Sequence, residues 1–310
     1  LDAEPMLPSR MVLKLPATSG ANRAMAENYD LYRTESRFYS ELSGMIGVQT
    51  PRCFVNLFDG DTQNLTLILE DVGDERWRGP LRPCTDEQVM MAVGELARLH
   101  GTWWQGISKT PPSWVPRLDG QRWRPQARMF TVAWSNFIDE ERVDELPGLG
   151  RLAPRFAVDM DWLQIRLGSE PVTLVHGDFR ISNLLFQVEN GRDQVWIIDW
   201  QPLMVARGAY DLGYFLSQSI STAQRRSLEH LLLANYHSTL LQLGVRDYDF
   251  QELWSDYRLA IAYTASYAVA TSLIDLVNDA GRDYARQALR RADAAVTDLD
   301  VADLVDRLAG

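Results

Sequence analysis

The sequence predicts an α+β protein of two lobes, a small N-terminal lobe with an antiparallel sheet plus a helix and a larger, mostly helical C-terminal lobe. Three observations support this. Short apolar runs separated by turn residues occupy the first part of the chain, a second hairpin pattern surrounds residue 190, and helical spacing fills the last third. The 310 residues are enough for two hydrophobic cores, which we assign to residues 1–72 and 73–310.

The predicted elements of the small lobe begin with a short buried strand at 11–16, which carries a single lysine, Lys14. A helix follows at 32–42, because apolar residues recur there at helical spacing. Two strands at 50–58 and 64–69 are joined by the turn sequence Asp-Gly-Asp and complete the sheet.

The predicted elements of the large lobe are mainly helices. Thr85 and Gln88 form a capping box that starts a helix over 86–104. Further helices are predicted at 153–167, 222–243, 250–278 and 280–308. Half of the ten tryptophans lie between residues 103 and 134, where they line a small-molecule pocket or cover a loop-rich surface.

The overall composition excludes some classes of function. The net charge of −11 argues against a nucleic-acid-binding surface. The longest uncharged run, 259–274, is too short to span a bilayer comfortably and predicts a buried helix. Two cysteines outside any metal-ligand spacing indicate a reduced, cytoplasmic protein. We therefore expect neither nucleic acid nor membrane as a partner, and the sequence leaves the oligomeric state open.

The most informative stretch is LVHGDFRISNLLF at 174–186, followed at 195–201 by VWIIDWQ. The turn-rich residues 189–193 between them predict a hairpin, with a polar loop before its first strand and an acid after its second. We expect Asp178, Asn183 and Asp199 to converge at one end of this hairpin, within a catalytic loop region at 174–201.

These residue types suit phosphoryl transfer. A carboxylate orients the attacking hydroxyl, while an amide and a second carboxylate hold the metal ions that bind the phosphates. Protein kinases use the order H-R-D-x-x-x-x-N and then D-F-G. This chain has H-G-D-x-x-x-x-N and then I-D-W, with the same step of five residues from Asp178 to Asn183. The alternative is a polar loop or an inactive kinase that retains the residues.

On these motifs the chain resembles the aminoglycoside phosphotransferase and choline kinase superfamily of small-molecule kinases. The HGD sequence, Gln201 and the stretch AYDLGYFL at 209–216 are most similar to its ecdysteroid-kinase-like and bacterial phosphotransferase branches. The resemblance implies a protein-kinase-like two-lobed fold, ATP or GTP as phosphate donor, Mg²⁺ as cofactor, and a small hydroxylated acceptor.

The resemblance also implies roles for residues around the motif. Asp178 is the catalytic base or orients the acceptor hydroxyl, and Asn183 and Asp199 hold Mg²⁺. Arg180 either reaches the transferring phosphoryl group or faces solvent. Two further residues support the loop structurally: His176 by hydrogen bonding, and Asp211 by accepting backbone N–H groups, with a simple helix-start acid as the alternative for Asp211.

On the nucleotide side, the resemblance makes Lys14 the residue that grips the phosphates. Glu35 is its expected partner, because a carboxylate on the apolar face of a helix requires a cation. Surface positions for both residues are the alternative. In the linker between the lobes, Leu69 would lie behind the base, Glu70 would offer a carbonyl and Val72 an N–H group. A plain hairpin edge is the alternative for this segment.

One part of the kinase pattern is not seen in the sequence. Kinases place a Gly-rich loop before the lysine strand, and residues 1–10 contain no glycine. We expect the sequence to lack the first strands of the small lobe. The segment after Asp199 is also too short for the activation loop of a protein kinase, which favours a small-molecule acceptor. A non-catalytic nucleotide-binding protein and a protein kinase remain the alternatives.

Overall fold

The computed structural model describes residues 10–73, 83–104, 110–139, 142–158, 160–189, 192–273 and 279–309. The described strands are β1 (Met11–Lys14), β2 (Cys53–Asp59), β3 (Asn64–Glu70), β4 (Thr173–Val175), β5 (Leu184–Glu189), β6 (Arg192–Ile197) and β7 (Met204–Ala206). The described α-helices are α1 (Gly20–Asn28), α2 (Leu31–Arg37), α3 (Asp86–Thr102), α4 (Arg124–Asp139), α5 (Pro147–Phe156), α6 (Asp161–Gly168), α7 (Ala209–Tyr214), α8 (Thr222–Gln242), α9 (Phe250–Ser272), α10 (Asp279–Asp298) and α11 (Val301–Ala309). This mixture of small sheets and many helices confirms the predicted α+β class.

The chain forms two compact units. The first combines the described residues up to 73 with Asn183–Pro202, and the second contains 83–182 and Leu203 onward. The sequence-based division at residue 72 places the β5–β6 hairpin in the large lobe, whereas its contacts group it with the small one. The reason lies in pairings such as the β-bridge between Gln49 and Trp196.

The first unit contains an antiparallel sheet in the order β1-β3-β2, with the antiparallel β5–β6 hairpin beside it. Along β3, Leu65, Leu67 and Leu69 are buried at alternate positions, as expected for a strand with one face on a core. Helix α2 continues as a π-helical turn from Phe38 to Leu42, and both of these side chains are buried.

The strand predicted at 11–16 is present as β1, but the prediction that it is buried is wrong. Met11, Val12 and Leu13 are 46%, 46% and 59% exposed. Among the described residues β1 pairs only with β3, so it lies at the edge of the sheet. The side chains of Val12 and Leu13 border a cavity and do not enter the core. Residues 1–9, which contain no glycine, are outside the described part of the chain.

In the described part of the second unit, the regular structure is helical apart from the short β4–β7 pair. Helix α9 is buried along most of its length and packs against α7, α4 and α10. The predicted capping box of Thr85 and Gln88 is present, and α8 ends before Gly244, whose φ of 105° is left-handed. None of the described helices combines the length and apolar content needed to cross a bilayer.

Three expectations for the second unit need correction. The single helix predicted at 280–308 is two helices, α10 and α11, and Asp300 between them has a left-handed φ of 47°. The single helix predicted at 153–167 is two helices, because α5 ends at Phe156 and the non-helical Met160 precedes α6. Pro154, which lacks an N–H group, lies in the last turn of α5. Four of the five clustered tryptophans are core residues, namely Trp103, Trp104, Trp123 and Trp134. Packing therefore accounts for them better than a pocket lining does.

Candidate active site

The residues predicted to act on nucleotide and metal all lie in the first unit. The predicted set is Lys14, Glu35, Leu69, Glu70, Val72, Asn183 and Asp199, and every member borders one cavity of about 530 Å³. Apolar side chains of Val12, Leu185 and Ile198 supply much of the remaining wall. A cavity with apolar walls and a few polar groups is typical of a small-molecule site.

Lys14 pairs with two carboxylates at the wall of this cavity. Its Nζ donates to Glu35 Oε1 and to Asp199 Oδ1, both at 2.7 Å. Glu35 is fully buried, and Lys14 gives its carboxylate the cation expected from the sequence, although burial still raises the pKa of Glu35 above its ordinary value. Burial alone would lower the pKa of Lys14, but the two carboxylates outweigh burial and raise this pKa above its ordinary value. The two carboxylates therefore favour the charged form of Lys14.

Asp199 and Asn183 supply oxygen donors at the same cavity. Residue Asp199 follows β6 with a left-handed φ of 68°, a conformation that non-glycine residues adopt at some cost and often at functional sites. Asn183 ends the short turn before β5, and its carbonyl accepts the Ile198 N–H at 3.0 Å, which ties the two strand ends together. A carboxylate and an amide oxygen are ligands that suit Mg²⁺, which takes its other ligands from phosphates and water.

Aromatic stacking fixes the backbone beside Asp199. The Trp200 ring lies parallel to Phe38 with centroids 4.3 Å apart, and both side chains are fully buried. The indole N–H of Trp200 donates to the Ile197 carbonyl at 3.1 Å. The sequence shows only that Trp200 replaces the Phe of D-F-G. The role of Phe38 as its stacking partner required the structure.

The linker after β3 forms another wall of the cavity. Leu69 is buried, and Glu70, Asp71, Val72 and Gly73 all face the same space. The Val72 carbonyl accepts a hydrogen bond from Gln187 Nε2 at 2.6 Å. The sequence analysis did not identify Gln187, and no signal within the motif distinguishes it from an ordinary polar strand residue.

The predicted residues of the catalytic loop and its support lie in the second unit. Asp211 is fully buried, and its carboxylate accepts the N–H groups of His176 at 2.7 Å and Gly177 at 3.0 Å. Gly177 has a left-handed φ of 85°, which explains a glycine between His176 and Asp178. This geometry is the brace expected for Asp211, and His100 Nε2 lies 3.2 Å from the same carboxylate.

His176 is buried and acts inside the loop. Its Nδ1 accepts the Asp178 N–H at 3.2 Å, so the ring holds the backbone of the residue that would orient the acceptor. The loop is also held at Ile181, whose N–H donates to the Ser219 hydroxyl at 3.2 Å. These contacts match the structural support that the sequence suggests for His176.

Arg180 lies beside Asp178, with its Nε 3.1 Å from Asp178 Oδ2. The side chain is 33% exposed, so it is neither buried nor fully solvent-facing. The Asp178 carboxylate raises the pKa of Arg180, and the phenols of Tyr214 and Tyr284 add to this effect against the opposing effect of burial. Burial and the nearby Asp178 likewise raise the pKa of Tyr214 well above its ordinary value. Neither tyrosine was identified from the sequence.

The chain matches a known protein family over most of its length. The family model described as the ecdysteroid kinase-like family matches residues 4–246. A kinase-like protein of Caenorhabditis elegans, described as uncharacterized, is 25% identical over 288 residues, covering 86% of this chain and 74% of its own length.

Two solved structures share the fold. The GDP complex of wild-type aminoglycoside 2'-phosphotransferase-IIIa has a TM-score of 0.54 at 15% identity, covering 88% of this chain and 83% of its own. The ethanolamine kinase of Plasmodium vivax has a TM-score of 0.51 at 13% identity, covering 91% and 75%. The fold is therefore that of the kinase-like phosphotransferases. Because the family model spans most of the chain, the protein belongs to the ecdysteroid kinase-like family.

Proposed function

We propose that the protein is a small-molecule kinase that transfers the γ-phosphate of a nucleoside triphosphate to a hydroxyl group. The observation that carries this proposal is the bridge of Lys14 between the buried Glu35 and Asp199, at the wall of a cavity that also presents Asn183. Kinases bind and activate a polyphosphate with this arrangement. A buried acid holds a cation, and two side chains with oxygen atoms suited to metal binding lie beside it.

In this proposal each residue of the first unit has one task. Lys14 grips the α- and β-phosphates, and Glu35 keeps its ammonium in place. Asn183 and Asp199 would hold Mg²⁺, whose charge neutralises the phosphates as they react. Leu69 lies behind the base, while the backbone of Glu70 and Val72 contacts the base edge. The relatives solved with GDP make a guanine nucleotide the alternative to ATP as donor.

In the second unit, Asp178 orients the acceptor hydroxyl and accepts its proton. The acceptor oxygen forms a bond to the γ-phosphorus as the bond from phosphorus to the β–γ bridging oxygen breaks, and the nucleoside diphosphate leaves. Because this transition state is loose, positioning by Asp178 contributes more than early proton removal. The Arg180 guanidinium would stabilise charge on the transferring phosphoryl group.

We further propose that the acceptor is an uncharged hydroxylated molecule. The groups that act on Arg180 beside Asp178 are the phenols of Tyr214 and Tyr284. Like charges repel, so the Arg180 cation beside Asp178 disfavours a polyamine acceptor such as an aminoglycoside.

Thermal stability with Mg-ATP and Mg-GTP tests the phosphate site. We expect at least one nucleotide to raise the melting temperature of the full chain only when Mg²⁺ is present, and Asp199→Asn to abolish the rise. At a concentration 100-fold above Kd, binding adds about 2.7 kcal/mol. Asn tolerates a left-handed φ, so this variant preserves the backbone of Asp199.

Turnover tests the reaction itself. Nucleoside diphosphate release is measured with a panel of neutral, cationic and anionic alcohols, using Asp178→Asn as the matched inactive variant. Release stimulated by one class of alcohol and lost in the variant supports the proposal. Nucleotide binding without turnover on any acceptor supports a non-catalytic protein, and phosphorylation of protein alone supports a protein kinase.

A further inference from the structure

The peptide unit that joins Val72 to Gly73 has both of its polar groups bonded within the described structure. Its carbonyl accepts from Gln187 Nε2 at 2.6 Å, and its N–H donates to Asp71 Oδ1 at 2.8 Å. The other oxygen of Asp71 pairs with Arg10 Nε at 2.9 Å, so the carboxylate is itself held in place. Gly73 has a left-handed φ of 93°, the conformation this turn requires. The orientation of this peptide is therefore fixed from both sides.

Gln187 reaches the linker from the strand that forms one wall of the cavity. It lies on β5 two residues after Leu185, and alternate residues of a strand face the same side. Leu185 borders the cavity, and so does Val72, the residue to which Gln187 donates. The short hydrogen bond thus aims the Val72 carbonyl at the β5 wall.

We infer that Gln187 determines which purine the cavity accepts, by withholding the Val72 carbonyl from the base. The inference rests on the proposed function, because it concerns the donor nucleotide of the same site. Adenine presents an acceptor at N1 and a donor at its 6-amino group, whereas guanine presents an acceptor at O6 and donors at N1 and its 2-amino group. A linker in which the Glu70 carbonyl meets the base but the Val72 carbonyl points elsewhere serves the one donor of adenine, and leaves one of the two guanine donors without a partner.

The expected size of this selectivity follows from the cost of an unmet hydrogen bond. A buried donor left without an acceptor disfavours binding by about tenfold or more. Adenine has a single donor on this edge, so its binding does not require the Val72 carbonyl as an acceptor. Gln187 is therefore a positioning residue that favours adenine nucleotides over guanine nucleotides.

The test measures the ratio of the affinities for Mg-ADP and Mg-GDP by calorimetry, in wild type and in Gln187→Met. Methionine keeps the length of the side chain but has no donor. The control is Gln194→Met, because Gln194 is directly opposite Gln187 on β6 and the described linker receives no hydrogen bond from it. We expect wild type and the control to prefer ADP, and the preference to fall about tenfold in Gln187→Met.

The outcomes separate this inference from the proposed function. If Gln187 has a merely structural role, Gln187→Met will weaken the binding of both nucleotides equally. The ratio of the two affinities will then be unchanged, which would overturn the inference. A wild type that binds GDP as tightly as ADP would also overturn it, although the phosphate site would stand. Failure of both nucleotides to bind wild type would overturn the proposed function and the inference with it.

Discussion

Lys14 Nζ lies 2.7 Å from Asp199 Oδ1, although 185 residues separate them in the chain. The same ammonium contacts Glu35, so one cation joins the edge strand, the neighbouring helix and the end of the β5–β6 hairpin. Ion pairs between exposed side chains contribute little, but a buried carboxylate that loses its cation becomes costly. The stability of the first unit should therefore depend on this bridge.

Lys14→Met should destabilise the protein by about 3 kcal/mol or more, because it leaves the buried Glu35 without its cation. The double variant Lys14→Met with Glu35→Gln should recover much of that loss, since no buried charge remains. Urea unfolding of wild type, both single variants and the double variant measures the coupling free energy. Additive effects of the two substitutions would show that the pair is not coupled. Mg-nucleotide binding should be weakened in all three variants.

Asp211→Asn should damage both stability and turnover. The carboxylate accepts the N–H groups of His176 and Gly177, and an amide can replace only part of this acceptor capacity. We expect a loss of about 2–3 kcal/mol and a lower kcat, because the loop that carries Asp178 loses its brace. Asp178→Asn is the control and should lower kcat with little effect on the melting temperature. A stable Asp211→Asn protein with normal kcat would contradict the brace.

Trp200→Leu should cost about 2–4 kcal/mol, since it removes a buried ring that stacks on Phe38 and leaves a cavity. Trp200→Phe keeps a ring at this position and should cost less. Chemical unfolding gives the two free energies, and Mg²⁺ titration in the presence of nucleotide reports on Asp199. If the stack positions Asp199, apparent Mg²⁺ affinity should fall in Trp200→Leu more than in Trp200→Phe. Equal Mg²⁺ affinities in the two variants would show that Trp200 contributes to packing and does not position Asp199.

The ion cluster at Asp298 should make stability depend on acid pH. The Arg226 guanidinium donates to both oxygens of Asp298, at 2.7 and 2.8 Å, and the buried Arg225 contacts the same carboxylate. Hydrogen bonds from Arg226, with a smaller contribution from Arg225, hold the pKa of Asp298 below its ordinary value despite partial burial. A carboxyl whose pKa is lowered by folding stabilises the protein above its unfolded pKa and loses this contribution as the pH falls.

Asp298→Asn should therefore cost about 0.5–1 kcal/mol near pH 7, because solvent screens a carboxylate that is only partly buried, and the difference from wild type should shrink below about pH 4. Unfolding free energies measured across this range test the prediction. Asp303→Asn is a useful comparison, because the Asp303 side chain is 46% exposed and its ion pair with Arg151 lies on the surface. A difference for Asp298→Asn that does not change with pH would assign its effect to packing alone.

The sequence alone determined which polar residues belong to the candidate site and in what order they follow one another along the chain. The steps from Asp178 to Asn183 and on to Asp199 are local features of one loop and one hairpin, and a hairpin register follows from its turn and its alternation. The capping box at Thr85 is equally local. Lys14 and Glu35 could be paired in advance because the kinase resemblance places the partner on the next helix, and a charge on the apolar face of that helix requires a partner.

Other features were decided only by tertiary structure. The stack of Trp200 on Phe38, the hydrogen bond from Gln187 to Val72, and the phenols beside Arg180 join positions far apart in the chain. Each of these residues looks ordinary in its own segment, because local spacing does not specify which distant side chain it will meet. The exposure of β1 has the same origin, since an apolar run is alike in sequence whether it faces a core or a cavity. Tertiary packing therefore determines whether β1 faces a core or a cavity.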